Sequence, residues 1–358
     1  MKGPHQFIIG AAPGDAITDH AFLIQRWLKE DGFDSEIYAE SIHPALLGKV
    51  KPYREYRPSR PGELVILHHS IGSDLVEDLL RYDVRFLLIY HNITPPDFFQ
   101  PVDPVLVAQM QRGRRQLGLL RERTVLALGD SSFNEAELQK AGFSPTGVLP
   151  IVLDSSQYDL EPNPDLINRY QDIGPRLLFV GRLVPNKKQE DLIKLLYFYR
   201  RIEPSARLFL VGPPWVPAYA EWLREFAEEL GLGEAVIFTG HVHQRDLVTY
   251  YRLADVYVSM SEHEGFGKPL IEAMYLGVPV VAYAAGAVPE TMGGAGVLFH
   301  QKDYEVLAEL IDLVVKSQVL RQRVIQKQRE RASLYLEPQV RQVWRGFWEG
   351  LNEGKPVR

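Results

Sequence analysis

Short apolar runs recur along the chain at residues 7–10, 64–68, 86–90, 124–128, 177–181, 208–212, 236–240, 256–260 and 279–283, most of them closed by Gly, Pro, Asn or Asp. Most are nearly continuous and do not alternate with polar residues. That is the pattern of strands covered on both faces, and hence of a parallel sheet. Between them lie stretches with apolar side chains at 3.6-residue spacing. Ala21-Phe22-Leu23-Ile24-Gln25-Arg26-Trp27-Leu28 predicts a helix ending near Gly32, and Leu192-Ile193-Lys194-Leu195-Leu196 predicts another. Strand and helix alternate throughout, so the expected class is α/β, built of βαβ units.

The rhythm breaks once. Residues 155–175 carry Pro162, Pro164 and Pro175 among Asp, Asn and Gln, and predict a linker. A second strand series then starts at Arg176-Leu177-Leu178-Phe179-Val180-Gly181. The expectation is two similar βαβ halves, residues 1–170 and 171–334, with ligands beyond the carboxyl ends of the strands. In the last segment, 335–358, Trp344, Phe347 and Trp348 stand at helical spacing and predict a final helix docking its aromatics on the body.

Composition narrows the function. A length of 358 residues fits two domains at about 150 residues each. The 40 Lys+Arg against 46 Asp+Glu give 40 − 46 = −6, which argues against a nucleic-acid partner. There is no Cys, which excludes disulfides, thiolate zinc sites, iron–sulfur clusters and Cys nucleophiles, and fits a reducing compartment. No apolar run is long enough to span a bilayer, and Phe7-Ile8-Ile9 is too short for a signal-peptide core. The reading is a cytoplasmic chain.

Three places carry chemistry. The first is Ser261-Glu262-His263-Glu264-Gly265-Phe266-Gly267-Lys268-Pro269-Leu270-Ile271-Glu272. It follows a strand, and Pro269 fits the first position of a helix. Free backbone N–H groups beside Gly265 and Gly267 would make an anion site there. Glu272, one turn into the helix, could accept two ribose hydroxyls, and Glu264 could face a sugar. The alternative is that both are acids favoured by a helix start. The second place is Gly181-Arg182-Leu183-Val184-Pro185-Asn186-Lys187-Lys188, where Arg182 and Lys187 could neutralise a diphosphate. The third, Gly286-Ala287-Val288-Pro289-Glu290, adds backbone amides one strand later.

In order and spacing these elements resemble the retaining glycosyltransferase family 4, the group 1 glycosyl transferases of GT-B fold. The family's E-x7-E motif matches Glu264 and Glu272. Its Gly-Arg-Leu with downstream Lys matches Gly181, Arg182, Leu183 and Lys187, and its Gly-x-Pro-Glu element lies in Gly286 to Glu290. The likeness is looser in the first half. There a strand followed by His fits Tyr90-His91-Asn92, and the family's Ser…Leu…Gly pattern looks like Ser131 or Ser132, Leu138 and Gly142. Gly14-Asp15 stands where the family often has Gly-Gly, and Lys188 replaces a common Gly.

The resemblance implies two Rossmann-like lobes facing across a cleft, with the last helix returning to the N-lobe. The N-lobe would take the acceptor and the C-lobe a nucleotide-diphospho-sugar linked through UDP, GDP or ADP. Donor contacts would come from Gly181, Arg182, Lys187, Phe238, Gly240, His241, Glu264, Gly265, Phe266, Gly267, Lys268, Pro269 and Glu272. His91 would sit near the reacting carbon, and Gly14, Asp15 and His91 would meet the acceptor. Glu264, His91, Arg182 and Lys187 would carry the catalysis. The expected reaction is metal-independent hexosyl transfer to a hydroxyl of a glycan, lipid-linked or polysaccharide-precursor acceptor, with no resident cofactor. An epimerase of the same fold and a non-catalytic nucleotide-sugar binder are the competing readings.

Weaker signals stay open. His241 and His243 have the spacing of a metal pair, but no third ligand is evident and no metal is expected. His68-His69 follows a strand and would either line the cleft or serve the core. Gly14-Asp15 with Thr18 and His20 would cap the first helix. Lys49, Lys51, Arg54, Arg57, Arg60, Arg112, Arg114, Arg115, Arg121 and Arg123, with Tyr53, Tyr56, Leu119 and Leu120, read either as a solvated face or as a peripheral contact with anionic membrane.

Overall fold

The computed structural model describes residues 3–100, 102–172 and 174–353. Packing divides them into two compact units. Unit 1 holds the residues up to Gln100, Pro104–Val152 and those from Pro338 on, and unit 2 holds Leu153–Glu337 together with Val102 and Asp103.

Unit 1 is a seven-stranded parallel sheet. Its strands are β1 (His5–Ala11), β2 (Ile37–Ile42), β3 (Lys51–Pro52), β4 (Glu63–His69), β5 (Val84–Tyr90), β6 (Thr124–Gly129) and β7 (Thr146–Val148), in the order β3-β2-β1-β4-β5-β6-β7. Unit 2 is a six-stranded parallel sheet of β8 (Arg176–Val180), β9 (Arg207–Val211), β10 (Val236–Gly240), β11 (Val256–Ser259), β12 (Val280–Tyr283) and β13 (Val297–Phe299). Its order is β10-β9-β8-β11-β12-β13, so the direction of winding reverses between β8 and β11. The expected α/β class of two parallel sheets holds.

The nine apolar runs all lie on strands. The four strands without such a run are β2, β3, β7 and β13. The last three are edge strands of two or three residues, and only the first half of β2 is buried. Little of their surface enters the core, so little hydrophobic signal is needed.

Asp15 caps the first helix, Ala16–Glu30, with its Oδ2 accepting from Thr18 N at 2.9 Å. The helix buries Ala21, Ile24, Trp27 and Leu28 against the unit 1 sheet. The final helix, Glu337–Glu353, also belongs to unit 1. Its fully buried Trp344 packs 6.3 Å from Trp27 and stacks on Trp348 at 5.6 Å, in one cluster with Ile89, Leu126 and Leu128.

One expectation is corrected. Residues 155–175 are not a free linker. Asn163 caps a helix, Pro164–Tyr170, and donates to Asp246 at 2.7 Å, while Arg245 donates to the carbonyls of Glu161 and Pro162. Pro164 starts this helix, because Pro at the first turn loses no hydrogen bond. The membrane-facing reading loses most of its apolar members, since Tyr53, Tyr56 and Leu120 are buried in the core and only Leu119 is exposed. Arg112 is paired with Asp74 and Glu77, and Arg123 donates to the carbonyls of Leu80 and Tyr82. Among the described residues no helix is long and apolar enough to cross a membrane.

Candidate active site

The three chemical motifs follow β8, β11 and β12, which are neighbours in the unit 2 sheet, so their loops emerge together at the switch point. Backbone and side-chain bonds then sew the loops to one another. Glu262 N donates to Asn186 O at 2.9 Å, Asn186 Nδ2 to His263 O at 3.1 Å, and Ala287 N to Glu264 O at 2.9 Å. The approach of the third loop requires glycine. Gly286 has φ +56°, and a Cβ there would lie 2.4 Å from Glu264 O.

Across these loops Lys187 Nζ lies 2.6 Å from Glu264 Oε1, both side chains being largely buried. Next to this pair runs a polar network. Lys302 bridges Asp191 (2.8 Å) and Glu262 (2.7 Å), and Lys188 reaches Glu262 at 3.5 Å. Burial opposes the charge of Asp191, but Lys302, Tyr304 and Lys194 outweigh it and hold the carboxyl below its usual range. The loop bearing Glu264 is thus pinned before any ligand arrives.

Gly267, at φ 90°, caps the helix Lys268–Tyr275, and Pro269 lies in its first turn. Glu272 is 5% exposed. Tyr158 Oη donates to its Oε1 at 2.6 Å and Tyr251 Oη to its Oε2 at 2.7 Å, with Lys268 Nζ at 3.8 Å. Burial, followed by the Glu272 charge, pushes the Tyr251 phenol well above its ordinary range, so it stays a donor. Sequence reasoning missed both tyrosines. Tyr158 lay in the stretch read as a linker, and Tyr251 carries no motif.

Arg182 is exposed, with its guanidinium 4.7 Å from the ring centroid of the half-exposed Trp215. Its carbonyl accepts from Gln189 Nε2 at 2.9 Å. Phe238 is partly exposed under Arg224, at 5.1 Å, and Gly240 O accepts from Gly212 N. His241 and His243 are exposed. Unit 2 therefore gathers Lys187, Glu264, Gly265, Phe266, Gly267, Lys268, Pro269 and Glu272 on one linked set of loops. Arg182 stands on the same β8 loop, and Phe238, Gly240 and His241 stand at the end of β10.

In unit 1, Gly14 and Asp15 form the cap already described. His68 and His69 are fully buried and so, of the two readings left open, serve the core. His91 follows β5, and its side chain is 2% exposed. Its Nδ1 lies 2.8 Å from Asp130 Oδ2 and its Nε2 2.9 Å from His68 Nδ1. His20, His68 and His91 bring ring nitrogens within 4.8 Å of one another, the one such cluster of three metal-ligand types among the described residues.

The family profile of glycosyl transferases group 1 matches residues 169–331. Over 188 residues the chain is 31% identical to the GDP-mannose-dependent alpha-(1-6)-phosphatidylinositol monomannoside mannosyltransferase of Mycolicibacterium smegmatis, covering 48% of each. Over 135 residues it is 36% identical to the D-inositol 3-phosphate glycosyltransferase of Thermomonospora curvata, covering 36% of this chain and 31% of that one. The alignments thus span about half, or less, of these curated relatives. Among solved structures, sucrose-phosphate synthase of Thermosynechococcus elongatus superposes with a TM-score of 0.77 over 98% of this chain and 99% of that chain at 19% identity. Anabaena HepE in complex with UDP and glucose does so at 0.73 over 97% and 98%, at 21% identity.

Proposed function

We propose, from the match of residues 169–331 to the glycosyl transferases group 1 and from the GT-B fold of the chain, that the protein transfers a hexosyl unit, with retention, from a nucleotide-diphospho-sugar to a hydroxyl of a glycan or lipid-linked acceptor. The observation that carries this reading is the Lys187–Glu264 pair at 2.6 Å, set between two loops at the switch point of unit 2.

Breaking a sugar–phosphate bond develops negative charge on the departing diphosphate and positive charge on the sugar ring. Lys187 and Arg182 would meet the first, Arg182 leaving Trp215 to do so, and the N–H groups of Gly265, Phe266, Gly267 and Lys268 would add fixed dipoles. Glu264, released from Lys187, would face the sugar. Glu272 would accept ribose hydroxyls on the lone pairs its two tyrosines leave, since a carboxylate has about four acceptor positions. Phe238, Gly240 and His241 would flank the base. His91, Gly14 and Asp15 would serve the acceptor side. The diphosphate charge is assigned to protein groups, so chelators should leave turnover unchanged.

The relatives' names direct the first trial to GDP-mannose, with UDP-glucose and ADP-glucose beside it. Transfer to a panel of glycoside, inositol and lipid-linked acceptors is followed by chromatography, and the anomer is read by NMR. Sugar transfer with retained configuration supports the proposal. Conversion of the donor sugar without any acceptor would make the protein an epimerase, and tight donor binding without turnover would make it a binder.

A further inference from the structure

A hydrogen-bonded chain of side chains crosses unit 1 from β1 to β6. It runs Gln6, His68, His91, Asp130: the first two lie on β1 and β4 and the last two stand one residue beyond the ends of β5 and β6, four strands adjacent in the sheet. Each link is short: Gln6 Oε1 to His68 Nε2 is 3.0 Å, His68 Nδ1 to His91 Nε2 is 2.9 Å, and His91 Nδ1 to Asp130 Oδ2 is 2.8 Å. Gln6, His68 and Asp130 are 0%, 0% and 2% exposed.

The direction of the protons follows from one fixed end. Gln6 Nε2 lies 2.9 Å from the carbonyl of Ala21, and a carbonyl only accepts. The amide nitrogen therefore faces Ala21 and the amide oxygen faces His68, so His68 Nε2 carries a proton and donates. Burial, then the neighbouring His91 and His20, hold His68 far below the ordinary imidazole range, so it is neutral and its Nδ1 is a bare acceptor. The proton between the two rings then belongs to His91 Nε2. On the far side, His91 Nδ1 and Asp130 Oδ2 share a single proton.

Proximity of His20, His68 and His91 suggests a metal site, but the ring geometry does not. The His68 and His91 rings are 4° from parallel with centroids 5.2 Å apart, which is the N···N distance plus the two ring radii. The rings are thus coplanar and nitrogen points straight at nitrogen, as in a linear N–H···N bond. Two metal–nitrogen bonds of about 2.0–2.1 Å each sum to about 4 Å and cannot fit in a straight 2.9 Å gap.

We propose that Gln6, His68 and Asp130 are positioning residues that lock His91 with Nε2–H turned into unit 1, so that His91 offers neither a base nor an acid to the substrate and instead fixes the chain end of β5. The catalytic half of this statement rests on the proposed function, in which His91 serves the acceptor side. The neighbouring contacts serve the same end. Asn92, a non-glycine residue at φ 68°, donates to Asn134 Oδ1 (2.9 Å) and Glu137 Oε2 (3.1 Å). Tyr90 Oη donates to Glu137 and accepts from Ile93 N. A strained residue held from several sides marks a backbone whose exact path matters.

The test is 15N NMR of the full chain labelled at histidine, with His68→Asn assigning the signals, combined with transfer kinetics. Expected are a neutral Nε2–H tautomer for His68 and a protonated Nε2 for His91 at neutral pH. His68→Leu, which strands the His91 proton, should lower kcat about tenfold, the equivalent of about 1.4 kcal/mol, with donor KM unchanged. His68→Asn, whose amide oxygen can stand in for Nδ1, should recover most of that loss. An Nδ1–H tautomer at His68, an unprotonated His91 Nε2, or a stoichiometric Co2+ absorption band abolished in His68→Asn would overturn the chain. Wild-type kcat in His68→Leu would overturn the positioning role. A wild-type protein that transfers no sugar would sink the proposed function while the NMR still judges the chain.

Discussion

Glu272 accepts a hydrogen bond on each carboxylate oxygen, from Tyr158 at 2.6 Å and from Tyr251 at 2.7 Å. It is thus a structural tie between the Pro-rich segment and the helices of unit 2 as well as the proposed ribose ligand. Glu272→Ala removes the carboxylate acceptor of two buried phenols, of which Tyr251 also has Pro269 O within 3.2 Å, and should destabilise the protein by about 1–3 kcal/mol. Glu272→Gln keeps the shape, so it should melt near wild type yet bind nucleotide at least tenfold more weakly. Thermal melts and calorimetry check both. Equal binding by the Gln variant would remove Glu272 from the donor site.

Lys187 and Glu264 are coupled, so their variants should not be additive. Lys187→Ala or Arg182→Ala should cost about 3–4 kcal/mol of barrier, or about 10²–10³ in kcat, as for loss of one preorganised charge-stabilising group. Lys187→Ala also leaves Glu264 without its partner at 2.6 Å. A double-mutant cycle with Glu264→Gln should therefore give a coupling above 0.5 kcal/mol. Strict additivity would show that the pair does not act as a unit.

Gly286→Ala should shift the loop after β12. The new Cβ would meet Glu264 O at 2.4 Å in a left-handed conformation. A penalty of about 1–3 kcal/mol is expected from the backbone alone. Donor affinity should fall with stability, because Glu264 is pushed by the same contact. A fully stable, fully active variant would contradict this.

Acid should destabilise unit 1. Burial lowers His69 to about 4 and sets His68 well below its usual value, so both are neutral when folded. The unfolded chain binds protons at these groups below about pH 6.5 and the folded chain does not, so stability falls as pH drops from about 6.5 towards 4. His69 alone should contribute about 3 kcal/mol to that loss. Urea melts between pH 7 and 5 followed by unit 1 amide exchange should show the fall, and His69→Gln should flatten it.

Trp344→Ala should loosen the final helix by about 3–5 kcal/mol, because the ring is fully buried against Trp27 and Trp348. Exchange protection of residues 338–351 would report it.

Much of this architecture is readable before folding. A strand buried on both faces must be apolar throughout, so the central strands, the alternation of β and α and the class are local properties of the chain. The same holds for Gly267, Pro269 and Gly286, because loop geometry at a helix start restricts residue type at that very position. The short edge strands β3, β7 and β13 bury too little to leave a trace. What only the tertiary structure decided are the partners. Tyr158 and Tyr251 reach Glu272 across 114 and 21 residues of chain, and Gln6, His68, His91 and Asp130 meet because parallel strands far apart in sequence lie side by side in the sheet. Polar side chains carry no periodic signature of where they will be satisfied. Their hydrogen-bond partners, and with them the proposed locking of His91, exist only once hydrophobic burial has brought the strands together.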